Sequence, residues 1–280
     1  MTQSAATVSR RVEEQLRRAA AESTRRIALH YGDRLPMWLG CGFPKSGTVW
    51  LCQLMGAYLQ VPYPQNYRMP IAMTSVIHSH WKYDERFPTT GYITRDGRDV
   101  AVSLYFYYTR ALDLDRSPAR KAELQKQFEY LFGPNFDPND SKANLPRFLE
   151  HEFTNPRPTH GMTWHGHVAD WVGRPQVHHT RYEDLLEDTP KELARLMTEI
   201  TGAPADETRA QAAAALYAFT SGTGRKRGEE DRSSFQRKGI AGDWRNHFTP
   251  EAAKIFQEIT GGALITLGYE ADDSWVETVR

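Results

Sequence analysis

The distribution of apolar and polar residues in the sequence predicts four strands. Residues 36–43, PMWLGCGF, form an apolar run that ends in glycines, as expected of a buried strand that leads into a loop. The segments 74–80, 90–95 and 176–182 (TSVIHSH, TGYITR and QVHHTRY) are predicted as further strands. Because strands alternate with helical patterns, we expect an α/β fold with a central parallel sheet and helices on both faces.

Helical spacing of apolar residues follows the first loop. In TVWLCQLMGAYL, the residues Trp50, Leu51, Leu54, Met55 and Tyr58 fall on one helical face. The segment VAVSLYFYYTR is predicted as a second helix, which begins at the turn RDGRD.

Two later helices carry capping signals at both ends. Thr189 is predicted as an N-cap, with Pro190 at the first helical position, Glu192 completing a capping box and Gly202 at the end. The same pattern recurs at Thr249-Pro250-Glu251, with Gly261 and Gly262 at the far end.

No internal repeat or low-complexity linker divides the chain, so a single domain over residues 1–280 is the simpler expectation. Residues 1–30 are predicted as an amphipathic helix packed on that domain. Residues 110–160 form the least regular segment, which is typical of a lid or a segment that binds an acceptor.

The charge balance argues against a polyanionic partner. Lys and Arg together number 35, as do Asp and Glu, so no net field favours nucleic acid or an anionic membrane. No run approaches the roughly 18 apolar residues of a membrane span. Cys41 and Cys52 are predicted as small core residues rather than a disulfide pair, which favours a cytoplasmic location.

The loop GFPKSGTVW, residues 42–50, has the composition of an anion-binding loop between a strand and a helix. Its order differs from G-x-x-x-x-G-K-[ST], because Lys45 stands two residues before Gly47. A strand-to-helix turn with a chance lysine is the alternative interpretation of these residues alone.

Two more stretches offer cations beside small residues. Arg95 ends a predicted strand, and Ser103 follows one or two turns into the next helix. Arg237, Lys238 and Gly239 form a glycine-containing basic loop. Both stretches are suited to binding phosphate, although taken singly each is also typical of an exposed turn with locally paired or solvated charges.

Taken together, four motifs resemble the cytosolic-type sulfotransferases, including bacterial members. They are FPKSGTVW, YITRDGRDVAVSLYFYYTR, RYEDLLEDTPKEL and RKGIAGDWRNHFTPE, in the order and rough spacing of that family. The resemblance runs from about residue 36 to residue 248 and leaves 110–160 unmatched. It implies a P-loop-like strand–loop–helix that binds 3′-phosphoadenosine 5′-phosphosulfate (PAPS) as co-substrate, with 3′-phosphoadenosine 5′-phosphate (PAP) as product and no metal.

The resemblance also implies individual roles. The residues implied to bind PAPS are Lys45, Ser46, Gly47, Thr48, Trp50, Arg95, Ser103, Tyr182, Phe219, Arg237, Lys238 and Gly239. Residues 45–48 would hold the 5′-phosphosulfate, whereas Arg95, Ser103 and the basic loop would hold the 3′-phosphate. Trp50 is also interpretable as a core aromatic, and Phe219 lies in a sequence that departs from the pattern of the family.

The catalytic residues implied by the resemblance are His80 and Lys45. His80 matches the general base of the family, and Lys45 would stabilise the leaving phosphate. His78 stands where the family has a lysine, and on a strand it lies on the same side as His80. The sequence therefore leaves open whether His78 shares or replaces that role.

The remaining histidines do not form a zinc-binding pattern. His160, His165 and His167 cluster in THGMTWHGHVADW, and His178 and His179 in VHHTRY, but their spacing fits no closed site. No metal ligand is therefore assigned.

The predicted activity is sulfuryl transfer from PAPS to a hydroxyl or phenol of a small acceptor, by a monomer or homodimer. Aromatic residues within 110–160 favour an apolar or aromatic acceptor, although they are equally typical of the core of a lid; they are Phe128, Tyr130, Phe132, Phe136, Phe148 and Phe153. A P-loop kinase that uses ATP and Mg²⁺ and a non-catalytic nucleotide-binding protein are the alternatives.

Overall fold

The structure, a computed structural model, describes residues 2–64, 74–114, 118–155 and 161–280. The strands are β1 Met37–Gly42, β2 Ser75–Ser79, β3 Thr90–Thr94 and β4 Val177–Arg181. The helices are α1 Thr2–Tyr31, α2 Thr48–Leu59, α3 Gly97–Leu114, α4 Pro118–Phe132, α5 Ser141–Thr154, α6 Trp164–Trp171, α7 Tyr182–Glu187, α8 Thr189–Thr201, α9 Glu207–Leu216, α10 Phe219–Thr223, α11 Pro250–Thr260 and α12 Ala263–Thr266, with 3-10 helices at Asp243–Asn246 and Asp273–Thr278.

The four predicted strands form one sheet in the order β2-β1-β3-β4. Strand β1 pairs in parallel with β2 on one side and with β3 on the other, and Gly42 is in register with Ile93. The prediction of a parallel α/β sheet is therefore confirmed. The chain places β2 on one side of β1 and β3 on the other, so the direction in which strands are added to the sheet changes at β1. Sheets of this kind bind ligands at such a switch point, outside the carboxyl ends of the strands.

The chain divides into two compact units. The sheet unit comprises Met1–Gly42, Gly47–Ile93 and Trp171–Tyr217, and the helical unit comprises Phe43–Ser46, Thr94–Asp170 and Ala218–Arg280. The expectation of a single domain over residues 1–280 stays a prediction.

The two faces of the sheet carry separate apolar clusters, because side chains alternate along a strand. One cluster joins Val76 and Ile93 to apolar residues of α2, α8 and α9. The other joins Leu39 and Tyr92 to Trp171 and to the end of α1. Cys41 and Cys52 are buried free thiols on opposite faces, as expected from the sequence.

The described side chains of helix α1 differ in burial along its length. Ala28 and Leu29 near its carboxyl end are buried, whereas Val12 is 48% and Leu16 is 64% exposed. Ala28 and Leu29 join the apolar cluster that contains Met37 and Leu39 of β1. The packing of residues 1–30 as an amphipathic helix on the domain stays a prediction.

The capping predictions differ by one residue at α8. Asp188 is the N-cap, and its carboxylate accepts a hydrogen bond from the backbone N–H of Lys191. Asp188 thus takes the N-cap position that the sequence assigned to Thr189. The hydroxyl of Thr189 donates to the carbonyl oxygen of Leu185 instead. Gly202 ends α8 as predicted, and Thr249 caps α11 as predicted.

The segment predicted to be irregular contains two helices, α4 and α5. The hydroxyl of Tyr105 on α3 donates to the carbonyl of Pro138 and accepts from Asn144 on α5. Residues 115–117 and 156–160 of this segment lie outside the described residues. None of the described helices is long and apolar enough to cross a bilayer.

Candidate active site

The loop after β1 places Lys45 in a left-handed backbone conformation. Its φ is 72°, and that of Gly47 is 98°. A left-handed non-glycine residue costs roughly 1–2 kcal/mol, so the fold has to stabilise it by other contacts. The backbone N–H of Ser46 donates to the carbonyl of Phe43 at 3.0 Å, which closes the turn around Lys45 within the helical unit.

The ammonium group of Lys45 lies among aromatic rings and arginines of the helical unit. Its Nζ is 4.0 Å from the ring centroid of Phe235 and 4.8 Å from that of Tyr107. Burial, together with the positive charges of Arg95, Arg110 and Arg237, lowers the pKa of Lys45 to about 7. The surroundings of Lys45 are therefore strongly electropositive.

Arg95 contacts the loop directly. Its Nη1 donates to the carbonyl oxygen of Lys45 at 3.3 Å, its Nη2 donates to that of Ile240 at 3.1 Å, and Asp99 lies 3.8 Å away. The two arginines of RDGRD, Arg95 and Arg98, thus make different contacts. Arg98 pairs with Asp96 at 2.7 Å and is 1% exposed, whereas Arg95 joins the neighbourhood of Lys45.

Ser103 lines a small cavity of about 10 Å³ together with Lys45, Arg110, Phe235 and Arg237. The structure therefore brings together Lys45, Ser103 and Arg237, which the sequence analysis drew from three separate motifs. It adds Arg110 and Phe235, which the sequence analysis did not assign. Sequence reasoning missed Arg110, Tyr107 and Phe235. The spacing of Tyr107 and Arg110 from Ser103, four and seven residues along one helix face, was a usable signal.

The basic loop pairs with acids of the helical unit. Arg237 forms ion pairs with Glu230 and Asp243, and Lys238 Nζ lies 2.6 Å from Asp243. Burial alone would raise the pKa of Asp243, but hydrogen bonds from His247, Lys238 and Arg237 hold it well below its ordinary value. Asp243 therefore remains ionised and fixes the two cations.

Gly239 lies against the ring of Phe219. Its φ is 65°, and a Cβ atom at this position would come within 2.5 Å of Phe219 Cδ2. Glycine is thus required here both by conformation and by space. The structure brings these two predicted residues together despite the altered sequence around Phe219.

Gly47, Trp50 and Tyr182 meet within the sheet unit. A Cβ on Gly47 would lie 2.8 Å from Tyr182 Cδ2, and the rings of Trp50 and Tyr182 are 5.7 Å apart. The indole N–H of Trp50 donates to the carbonyl of Tyr217 at 3.0 Å, which fixes the ring. The two aromatic residues predicted to bind nucleotide therefore form one surface.

Two loop hydroxyls are buried without a hydrogen-bond partner among the described residues. They belong to Ser46, which is 1% exposed, and Thr48, which is 3% exposed. A buried polar group without a partner costs about 1–3 kcal/mol, and a native fold keeps such a group where a ligand satisfies it or where strain is useful. These hydroxyls fit a bound oxyanion.

His80 follows directly after β2 in the sheet unit. Its Nδ1 donates to the carbonyl oxygen of Gly42 at 2.5 Å, so the neutral ring carries its proton on Nδ1 and its basic lone pair on Nε2. Burial lowers the pKa of His80 to about 4, and the bond to Gly42 opposes this shift. The imidazole is therefore neutral at pH 7, as a general base requires.

His78 lies beside His80 on the same side of β2, as predicted. The ring centroids are 4.6 Å apart, and the ring of Tyr63 covers His78 from another side at 6.3 Å. His78 is only 5% exposed, whereas His80 is half-buried. His80 is thus the more accessible of the two.

Two other histidines have aromatic neighbours of their own. His167 is fully buried against Phe43 in the helical unit, and His179 contacts Tyr92 in the sheet unit. Within the described ranges, no group of three or more His, Cys, Asp or Glu side chains is arranged to hold a metal ion. His160 lies outside the described residues.

Five of the six aromatic residues singled out in 110–160 pack within the helical unit. Phe128, Phe132 and Phe136 form a cluster with centroid distances of 5.5–5.8 Å. Phe148 and Phe153 are each 1% exposed in the interior of the helical unit. Phe128, Phe148 and Phe153 are therefore core residues, whereas Tyr130 is 91% exposed. The apolar or aromatic acceptor stays a prediction.

Comparison with known proteins identifies relatives of this chain. The family described as "Sulfotransferase domain" matches residues 91–268, more than half of the chain. Rat sulfotransferase 2B1 is 26% identical over 60% of this chain and 45% of its own length, and human sulfotransferase 1E1 is 28% identical over 56% and 49%. The chain thus spans about half the length of these relatives. The crystal structure of mouse sulfotransferase SULT7A1 complexed with PAP superposes with a TM-score of 0.55 at 20% identity, over 91% of this chain and 95% of that one.

Proposed function

Because this chain belongs to the sulfotransferase family, we propose that it transfers the sulfuryl group of PAPS to a hydroxyl or phenol of a small acceptor. The observation that carries the proposal is the electropositive environment of Lys45. The positive charges of Arg95, Arg110 and Arg237 lower the pKa of Lys45, so these four cations lie close together. Such a cluster is unfavourable by itself and is relieved by a ligand with several negative charges.

PAPS matches this cluster and its surroundings. It carries a phosphosulfate at the 5′ end and a phosphate at the 3′ end, and the family resemblance assigns the loop to the first and Arg95, Ser103 and Arg237 to the second. The buried hydroxyls of Ser46 and Thr48 would donate to phosphate oxygens. PAP bound to SULT7A1 supports the choice of nucleotide.

The aromatic pairs would hold the base of the nucleotide. Trp50 and Tyr182 form one ring surface in the sheet unit, and Phe219 is held against Gly239 in the helical unit. Rings of this kind contribute stacking area, as base-binding sites on proteins generally do.

The proposed chemistry needs one base and one charge stabiliser. PAPS supplies an activated sulfuryl group: a bond forms between the acceptor oxygen and sulfur while the bond from sulfur to the bridging phosphate oxygen breaks. Nε2 of His80 accepts the acceptor proton, because Gly42 holds the other ring nitrogen as the donor. Nζ of Lys45 stabilises the negative charge that develops on the leaving oxygen. The products are a sulfate ester and PAP.

No metal is needed in this scheme. The sulfuryl group carries less charge than a phosphoryl group, so a lysine and backbone dipoles suffice to stabilise it. Transfer is therefore expected to persist in excess EDTA, whereas ATP-dependent phosphoryl transfer depends on Mg²⁺.

The direct test combines binding with turnover. Calorimetry with PAP, ADP and Mg·ATP, followed by transfer from ³⁵S-labelled PAPS to a panel of alcohols and phenols, should show PAP binding far more tightly than ADP and labelled ester forming. Lys45→Ala should lose turnover, whereas Lys254→Ala, at an exposed position of α11, serves as control. Equal affinity for ADP and PAP would favour a kinase, and PAP binding without any transfer would favour a non-catalytic protein.

We also propose a cytoplasmic location, because Cys41 and Cys52 are both free thiols. Monomer or homodimer stays the prediction for the assembly, and size-exclusion chromatography with light scattering distinguishes the two.

A further inference from the structure

The helical unit contains a second and larger cavity, of about 370 Å³. Its walls come from the carboxyl half of α3, from Pro138 and Asn139 before α5, and from residues 231–233 before the basic loop. Phe106 and Thr109 lie in its interior wall and are 5% and 6% exposed. The volume suits a small ligand such as one aromatic ring with a short side chain.

This cavity adjoins the small cavity that contains Lys45. Phe106, Arg110 and Arg232 line both cavities. The two cavities therefore meet at these three side chains, and a ligand in the larger cavity would lie next to the small cavity that contains Lys45.

Most charged groups around the larger cavity already have partners. The carboxylate of Asp231 accepts hydrogen bonds from the backbone N–H of Ser233 at 2.9 Å and from its hydroxyl at 2.6 Å. Arg232 donates to Asn139 Oδ1 at 2.8 Å and pairs with Glu230 at 3.4 Å. These groups are satisfied as the cavity stands.

Arg110 differs from its neighbours. Its guanidinium donates to the carbonyl oxygen of Ser233 at 3.4 Å and lies 5.3 Å from the ring centroid of Tyr107. Among the described residues no carboxylate forms an ion pair with Arg110, whereas Arg95, Arg98 and Arg237 each have one. Asp113, three residues further along α3, lies at the exposed rim, where water solvates its charge.

Arg110 is half-buried beside a cavity and forms no ion pair with a carboxylate of the described residues. Its guanidinium can therefore bind an anionic group of a ligand, since guanidinium binds carboxylates and other oxyanions through two parallel hydrogen bonds. We propose that the larger cavity is the acceptor subsite and that Arg110 selects acceptors carrying a carboxylate or another anionic group in addition to the hydroxyl. This inference rests on the proposed sulfuryl transfer, but it also predicts binding that is measurable without it.

The proposal adds an anionic group to the apolar or aromatic acceptor expected from the sequence. The larger cavity presents the guanidinium of Arg110 within a mixed polar and apolar lining. An acceptor with an apolar body and an anionic end fits both parts of the lining.

The test uses three phenols of similar size that differ in charge: 4-hydroxyphenylacetate, 4-ethylphenol and tyramine. Their binding to the full chain is measured by calorimetry with and without PAP. 4-Hydroxyphenylacetate is expected to bind about tenfold or more tightly than either of the others, as a charge-assisted pair predicts. Equal affinities, or a preference for tyramine, would overturn the proposal.

Three variants identify the residue responsible. Arg110→Gln should remove the preference for the anionic phenol, and Arg110→Lys should keep part of it. Arg147→Gln is the matched control, because Arg147 also donates to a carbonyl at 3.4 Å but lines neither cavity. A preference that survives in Arg110→Gln contradicts the proposal. Circular dichroism verifies that each variant is folded.

Measurements of turnover test the anionic subsite and the proposed sulfuryl transfer independently of each other. With labelled PAPS, the ratio of kcat/KM for the anionic phenol to that for the neutral phenol should fall about tenfold in Arg110→Gln. If no phenol is sulfated but the charge preference in binding is present, the proposed activity fails and the anionic subsite stands. If sulfation occurs without a charge preference, the subsite fails and the activity stands.

Discussion

The Nδ1 atom of His80 lies 2.5 Å from the carbonyl oxygen of Gly42, which stands three residues before Lys45 in the chain. This hydrogen bond selects one tautomer and leaves Nε2 as the basic nitrogen. The orientation of the proposed base is thus set by the backbone of the same strand, β1, that leads into the anion-binding loop.

His80→Ala should lower kcat by about 10²–10⁴-fold, the usual contribution of a general base. The affinity for PAP should change little, because the proposed role of His80 is toward the acceptor proton. Single-turnover kinetics with labelled PAPS measures the first quantity and calorimetry the second. His78→Gln is the comparison: near-normal turnover in His80→Ala with a large loss in His78→Gln would transfer the role to His78.

The affinity for PAP should fall as the pH rises through 7. Lys45 has a pKa of about 7 in the free protein, so its positive charge is present below that pH and lost above it. A ligand that needs the charge then binds more weakly, by up to about tenfold for each pH unit. Calorimetry from pH 6 to pH 9 checks this. Lys45→Arg keeps its charge over that range, so its affinity should be flat; an equally steep curve would disprove the assignment.

The acid limb of the pH profile reports on His80. Its pKa of about 4 means that the neutral base is present above pH 4 and is lost only below it. The value of kcat/KM should therefore hold steady between pH 5 and pH 6.5 and decrease near pH 4. A decrease centred near the ordinary histidine pKa of about 6.5 would contradict the burial argument.

Ser46→Ala and Thr48→Val should weaken the binding of PAP without lowering the stability of the unliganded protein. Each removes a buried hydroxyl that lacks a partner among the described residues, so the free energy of unfolding of the unliganded protein should stay constant or rise. The affinity for PAP should fall roughly tenfold or more. Thr260→Val is the control, because the hydroxyl of Thr260 donates to Phe256 at 2.8 Å and its loss should only destabilise.

Gly239→Ala should weaken PAP binding and destabilise the protein more than Gly224→Ala. Both glycines have positive φ, 65° and 70°, and share the cost of roughly 1–2 kcal/mol for a left-handed residue. Only Gly239 has a ring within reach of a new Cβ, whereas Gly224 has open space around it. Equal losses in urea unfolding would mean that the contact with Phe219 has no effect.

Arg98→Ala should cost about 3–5 kcal/mol of unfolding free energy, because it removes the ion-pair partner of buried Asp96 and of half-buried Glu270. It also removes a side chain that stacks on Trp244 at 3.8 Å. Arg209→Ala, which breaks an exposed pair with Asp206, should cost less than about 1 kcal/mol. Similar losses in the two variants would contradict the structural role of Arg98.

Features of the fold that depend on only a few neighbouring residues could be predicted from the sequence. The strand from Met37 to Gly42, the helix from Thr48 to Leu59 and the cap at Thr249 follow from side-chain periodicity and backbone hydrogen bonding over a few residues. The same holds for the side of β2 that His78 and His80 share, since the alternation of a strand is fixed.

Long-range packing decided the rest. Arg95 and Arg98 are indistinguishable in RDGRD, yet one joins the surroundings of Lys45 and the other is buried against Glu270, 172 residues away in sequence. Likewise, Val12 and Leu16 match a packed helix face and are exposed, whereas Ala28 and Leu29 at the end of α1 join the core. Phe128, Phe132 and Phe136 pack against one another, and their contacts come from tertiary packing rather than from a local pattern. Periodicity determines which face a side chain occupies, but burial, pairing and the pKa of Lys45 depend on charges and rings that meet only when distant segments pack together.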